Sequence, residues 1–319
     1  MDVVLVHLGG RPPSYLRTCA KQVQAVTAAP PLVVGPLEAR RLHGPKLDRF
    51  RSGERLSDMG LAGFWRYATE RFFVLEEAMR AAGIERCLHI ENDNLLYAPA
   101  PQAMAWLEER FGDGLALCPL TAAEDTAGVM SIGSLAALER FNAALLELVE
   151  LGPRELLAHY GGEMANEMRM IHLLRTDQGL AEALPTTLKA ALAEGAPAIF
   201  DPASYGQHVD GIPSAPGRPY EGDHHAVGRE LIAGAVRVAW DAQQRVPSVV
   251  RTADGVTLPL ANLHIHSKRL SRWVPEAAPP PIQGPPGFPR RALSGGRRLS
   301  GVAYRRVRRR VLAARSSAR

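Results

Sequence analysis

The sequence predicts an α/β fold on a mostly parallel sheet. Short apolar runs alternate with segments of helical period, glycine or proline bounds most of the runs, and the opening reads strand, helix, strand. DVVLVHLG is a brief apolar run closed by glycines, as a strand buried on both faces requires. After Pro12 and Pro13, SYLRTCAKQVQAVTA puts Leu16, Cys19, Ala20, Val23 and Val26 at helical spacing, and PPLVVGP supplies the second strand. GFWRYATERFFVLEEAMRAAG aligns Phe64, Ala68, Phe72, Leu75 and Met79 on one helix face, with Gly83 as its stop, and leads into the strand IERCLHI. A helix under way at Gln102 returns to the sheet as LALCPL, and SLAALERFNAALLELVEL is a further amphipathic helix. No internal repeat of fixed period is evident.

Composition narrows the class. At 319 residues, 46% hydrophobic and 22% charged, the chain has the make-up of a globular protein, which excludes fibrous and wholly disordered readings. MDVVLVHLGG has neither a basic leader nor a cleavable apolar segment, and no run of 18 apolar residues exists, so the expectation is a cytoplasmic protein. Cys19, Cys87 and Cys118 are too few and too scattered for a disulfide framework, which fits a reducing compartment. The net charge of +5 is unevenly spread: residues 276–319 hold eleven arginines against Glu276 and carry +10, which leaves −5 on residues 1–275. An acidic folded part argues against nucleic acid as the partner of the core. The chain therefore divides into a domain at 1–275 and a basic tail at 276–319. Six prolines between 279 and 289 mark a linker. Beyond it, SGVAYRRVRRRVLAARSSAR reads either as a solvated terminus or as a short basic amphipathic helix suited to an anionic membrane surface.

In a mostly parallel sheet, ligands bind at the carboxyl ends of the strands, so the residues after a central strand carry the most information. Here they are HIENDNLLY, residues 89–97. Alternation along an extended chain sends Leu88 and Ile90 into the core and His89, Glu91 and Asp93 together toward the strand end. Two carboxylates one residue apart suit a hard divalent cation that bridges to a diphosphate. NLHIHSK, residues 262–268, is the second signal. If extended, it presents His264 and His266 on one face, with Lys268 able to reach the same place.

Together, the β-α-β opening, the Glu91–Asp93 motif after a strand and the late His-x-His-Ser-Lys segment resemble metal-dependent glycosyltransferases of the GT-A, or nucleotide-diphospho-sugar transferase, fold. The resemblance covers about residues 1–275 and implies a Rossmann-like mixed, mostly parallel sheet flanked by helices. It implies Mn²⁺ or Mg²⁺ held by Asp93 with His264 or His266 completing the shell, Glu91 contacting the metal or else the donor ribose or sugar, and Lys268 on the donor diphosphate. Glu91 stands where the family's first aspartate is usual. By order along the chain, His7, Leu8 and Gly9 in the loop after the first strand fall at the nucleotide, and Arg66, Thr69 and Arg71 fall on the helix that approaches the donor. FDPASYGQHVDGI, with Asp201, Gln207, His208 and Asp210, looks like a loop on the sugar or acceptor side. For a base that deprotonates the acceptor hydroxyl, Asp201, Glu163 and Glu167 are available, the last two expected on one helix face. The partners implied are a nucleotide-diphosphate sugar and an acceptor hydroxyl on a glycan or lipid-linked molecule.

Other classes lack their motifs. HLGGRPP is not the glycine fingerprint of a dinucleotide fold, and no P-loop, HExxH or GxSxG occurs. The rival is a metal-dependent phosphoesterase that combines Asp93 and the His-x-His pair with Asp223, His224 and His225 of GDHHAVG.

Overall fold

The computed structural model describes residues 1–276 except 55, 57–62, 162–164, 219–221, 223, 242 and 244. In chain order the elements of its first half are β1 (Asp2–Val6), α1 (Ser14–Thr27), β2 (Leu32–Val34), α2 (Pro36–Arg41), α3 (Pro45–Gly53), α4 (Phe64–Ala82), β3 (Cys87–Ile90), β4 (Asn94–Leu96), α5 (Ala100–Phe111), β5 (Leu115–Pro119), β6 (Asp125–Ile132) and α6 (Leu135–Tyr160). There follow α7 (Glu167–Thr176), β7 (Glu182–Ala183), α8 (Leu188–Glu194), α9 (Ser204–Asp210), β8 (Gly211–Ile212), β9 (Ala215–Pro216), α10 (Ala226–Ile232), β10 (Val236–Asp241), β11 (Val246–Arg251), β12 (Thr257–Pro259) and β13 (Asn262–His264).

The six-stranded sheet has the order β2-β1-β3-β6-β5-β7. All its strands share one direction except β6, which is antiparallel to both β3 and β5. This is the mixed, mostly parallel α/β sheet read from the sequence. Both faces are buried, which explains the continuous apolar runs. Val3, Leu5, Leu88 and Ile90 pack with α1 and α5 on one side. Val4, Val6, Cys87 and Met130 pack with α4, α6 and α7 on the other. Phe72 and Phe73 of α4 are almost wholly buried there, and α4 ends on Gly83 in a left-handed conformation, as the sequence signals. Truncating Phe72 to Ala would cost about 3–5 kcal/mol.

Strand β6 is one of the elements the sequence reading omits. Thr126, Gly128 and Ser131 interrupt its apolar character, so DTAGVMSI carries no clear strand signal. Its register against β5 jumps: Leu117 faces Met130, whereas Cys118 faces Thr126. The bypassed residues include Gly128, whose carbonyl accepts from the Glu91 amide at 2.9 Å and from Asn94 Nδ2 at 2.8 Å. The bulge thereby fixes the chain just beyond β3. The three-stranded sheet β10-β11-β12 is likewise absent from the sequence reading. Trp273 is fully buried and Val274 packs on the core, so the folded unit reaches the end of the 1–275 region, while the Arg-rich tail lies outside the described residues.

Candidate active site

Beyond Ile90 the chain turns through Glu91, Asn92 and Asp93, leaves the main sheet as β4 and pairs antiparallel with β13, His264 opposite Asn94. A buried polar network secures the pairing. Asn262 Nδ2 donates to Asn94 Oδ1 at 2.7 Å, and Asn262 Oδ1 accepts from the Asp201 amide at 2.9 Å. The Asp201 carboxylate accepts the amides of Tyr205, Gly206 and His264, each at 2.9 Å, so it ties the start of α9 to β13. Fully buried and committed to three backbone donors, Asp201 has the surroundings of an anchor rather than of the base expected for it.

His264 is the centre of the arrangement. Its Nε2 lies 3.1 Å from both Asp93 Oδ1 and Glu91 Oε2. Two glycines make room for it: a Cβ on Gly128 would come within 2.7 Å of His264 Nδ1, and one on Gly206 would collide with the His264 carbonyl. The His266 ring crosses that of His264 at a centroid distance of 4.4 Å, and Gln207 Nε2 donates to His266 Nδ1 at 2.8 Å. Lys268 Nζ pairs with Asp93 Oδ2 and sits 5.7 Å from the centre of the Tyr15 ring.

The donor set fits a divalent cation. Among the described residues, Asp93, His264 and His266 offer ligand atoms within 4.8 Å of one another. Neighbouring ligands at right angles around a metal with ~2.1 Å bonds lie ~3 Å apart, close to the spacing of His264 Nε2 from its carboxylate oxygens. Carboxylate oxygen with imidazole nitrogen suits Mn²⁺ and its neighbours. The same carboxylates act on the His264 imidazole. Burial depresses its pKa, but Asp93 and Glu91 outweigh burial and raise it to about 10. His266 goes the other way, to about 3, through burial and the adjacent His264 charge. Burial favours protonated Asp93, yet His264 and Lys268 hold it well below the usual carboxylate range.

A second buried group stands beside this centre. Arg71, from α4, reaches Glu91 with Nη1 and Glu167 Oε1 with Nη2 at 2.7 Å. Glu167 is the first residue of α7, whose N-cap is Asn166. Burial raises the Glu167 pKa to about 7 despite Arg71. Glu163, expected on the same helix face, lies outside the described residues.

Several expectations are corrected. His89 does not point to the crevice with Glu91 and Asp93: it is fully buried inside the sheet, its Nδ1 3.1 Å from the Val4 carbonyl. The reason is that β3 is covered on both faces, so either side of the strand is core. Of the three α4 candidates only Arg71 arrives at the site. Arg66 pairs with Glu54 and Glu70, and the Thr69 hydroxyl donates to the Trp65 carbonyl within its own helix. His7 does reach the turn, its Nδ1 2.8 Å from Asn92 Nδ2, whereas a Cβ built on Gly9 would meet open space. His225 of the rival GDHHAVG motif packs against Ser204 Oγ at 3.0 Å, and Asp223 lies outside the described residues. Tyr15 and Asn92 were not singled out from the sequence. Tyr15 was findable, because a helix that follows the first strand presents its first turn to the strand ends.

No family model and no curated protein sequence matches the chain. Several solved structures are similar to part of it, among them two glycosyltransferases. One is a glycosyltransferase involved in glycosylation of the major capsid of PBCV-1, at 13% identity and a TM-score of 0.35, covering 60% of this chain and 88% of its own. The other is the galactosyltransferase LgtC in complex with donor and acceptor sugar analogs, at 15% identity and a TM-score of 0.33, covering 58% and 74%.

Proposed function

We propose that the protein is a glycosyltransferase that moves a sugar from a nucleotide-diphosphate donor to an acceptor hydroxyl with the help of Mn²⁺ or Mg²⁺. The observation that carries this reading is the meeting of Asp93, Glu91, His264 and His266 with Lys268 at the carboxyl end of a central strand in a mixed, mostly parallel sheet. Carboxylates, imidazoles and an ammonium within one crevice match a ligand that is at once a metal chelator and a polyanion, which describes a nucleoside diphosphate. Asp93, Glu91, His264 and His266 would hold the metal, which when bound neutralises charge on the departing diphosphate. Lys268, released from Asp93, supplies a second positive contact to the same phosphates. Arg71 holds Glu91 in place from behind, and Gln207 fixes the orientation of the His266 ring. His7, through Asn92, joins the loop after β1 to the acidic turn and brings that loop to the nucleotide side.

The test is calorimetric titration of UDP and of GDP, with and without Mn²⁺. Metal-dependent binding of one nucleotide is expected, and Asp93→Ala should abolish it while the circular dichroism spectrum stays unchanged. Binding that survives in the variant would overturn the site, and hydrolysis of a generic phosphodiester without nucleotide binding would favour the phosphoesterase.

A further inference from the structure

Lysine is rare in this chain: Lys21, Lys46, Lys189 and Lys268 are the four among 38 basic residues. Lys268 also has an unusual backbone, with φ of +65°, a left-handed conformation that side-chain-bearing residues seldom adopt. Such a residue persists only where its surroundings over-determine it. Those surroundings converge on one buried carboxylate, Asp210, at the end of α9. On the N-terminal side of Lys268, the Ser267 hydroxyl donates to Asp210 Oδ2. On the C-terminal side, Arg269 gives it Nε at 3.1 Å and Nη2 at 2.5 Å, with Arg272 Nη1 at 3.4 Å. Both immediate neighbours of Lys268 are thus tied to a single group, and the lysine amide donates to the Ile265 carbonyl at 2.9 Å, closing the turn. The side chain between the two tethers points at Asp93.

We infer that Asp210 is a positioning residue for Lys268: by gripping Ser267 and Arg269 it holds the left-handed turn that aims the ammonium at Asp93 and at the phosphates of a nucleoside diphosphate. Helix α9 is the platform for this whole segment. Gly206 and Asp210 lie one helical turn apart on it, the first against His264 and the second against Ser267 and Arg269, while Gln207 reaches His266. The phosphate half of the inference rests on the proposed function, whereas the lysine half does not.

The experiment uses the small number of lysines. Reductive methylation with ¹³C-formaldehyde labels four lysine side chains and the N-terminus, and the Lys268 signal is assigned by its loss in Lys268→Arg. In Asp210→Asn that signal should move toward the position of a solvated lysine while the other signals stay in place, and Ser267→Ala should move it part of the way. On unlabelled protein, Asp210→Asn should weaken Mn²⁺-dependent UDP or GDP binding about tenfold. It should cost nothing further in a Lys268→Ala background, because the two residues act as one unit. An unmoved Lys268 signal in folded Asp210→Asn, or in Ser267→Ala if Asp210→Asn does not fold, overturns the inference. So do losses that add in the double variant, which would reduce Asp210 to a stability role. A moved signal in a protein that binds no nucleoside diphosphate would keep Asp210 as the positioning residue and remove the proposed function.

Discussion

Two buried ionic hubs flank the candidate site, and they are opposites in charge. Arg71 is one cation between two carboxylates, Glu91 and Glu167. Asp210 is one carboxylate shared by Arg269, Arg272 and Ser267. The Asp210 hub leaves a positive surplus, whereas at the Arg71 hub Glu91 is shared with His264 and burial raises the Glu167 pKa to about 7, which removes most of the negative one. The surplus cations Arg269 and Arg272 remain partly exposed, whereas Glu167 is sealed. The difference teaches that the polarity of the crevice is built by long-range pairs rather than by the acidic motif alone.

Breaking the Arg71 hub should have the larger effect. Arg71→Ala strands the buried Glu167 carboxylate and leaves half-buried Glu91 with His264 alone, and should lower stability by about 3 kcal/mol, read from denaturant unfolding. Removing one cation from the other hub is milder: Arg269→Ala leaves Asp210 with Arg272 and Ser267, and the lost pair is partly solvated, so about 1 kcal/mol is expected in the same measurement.

A pH series sharpens the comparison further. The Glu167 pKa is about 7 in the folded protein against an ordinary 4.5, so the folded state binds this proton more tightly than the unfolded state. Its contribution to stability is therefore complete below pH 4.5 and is lost as pH rises through about 7. Glu167→Gln should remove that fall, so the stability difference between variant and parent should change by on the order of 3 kcal/mol between pH 4.5 and pH 8. A constant difference would mean that Arg71 keeps Glu167 ionised throughout. The smallest effect is expected at the far end of the chain. Removing residues 276–319 should leave nucleotide binding unchanged, and any co-sedimentation of the full chain with phosphatidylserine vesicles should be lost with them. Equal sedimentation of both forms would eliminate membrane contact by the tail.

Much of the architecture was legible because the apolar period is strong. The elements from β1 to α6 follow the predicted order, apart from β6, the short helices α2 and α3, and β4. Strand β6 stayed hidden because Thr126, Gly128 and Ser131 interrupt its apolar run and its bulge is built around Gly128. That Glu91, Asp93, His264 and His266 meet was also legible from their places at or just after the ends of short apolar strands, although strict alternation does not hold: 91–93 and 266–268 are turns, and His89 faces the core. What could not be read is pairing at a distance. Arg71 and Glu167 are 96 residues apart, and Asp210 and Arg269 are 59 apart. Nothing local distinguishes Glu167 from a solvated helix charge, or Asp201 from a base, until the fold surrounds them.

The β4–β13 pairing also sets a clock. Asp93 and Lys268 are 175 residues apart, an interval of roughly 10–35 seconds at ordinary rates of translation. For that time a growing chain carries its two acids without the histidines or the lysine that complete them. The strand bearing His264 is the last of the fold to emerge from the ribosome, so the crevice closes only after nearly every other element has been made. A product of translation that stops short of Lys268 is thereby denied the lysine and one that stops short of His264 the whole donor set, whereas a stop beyond residue 276 leaves the crevice intact.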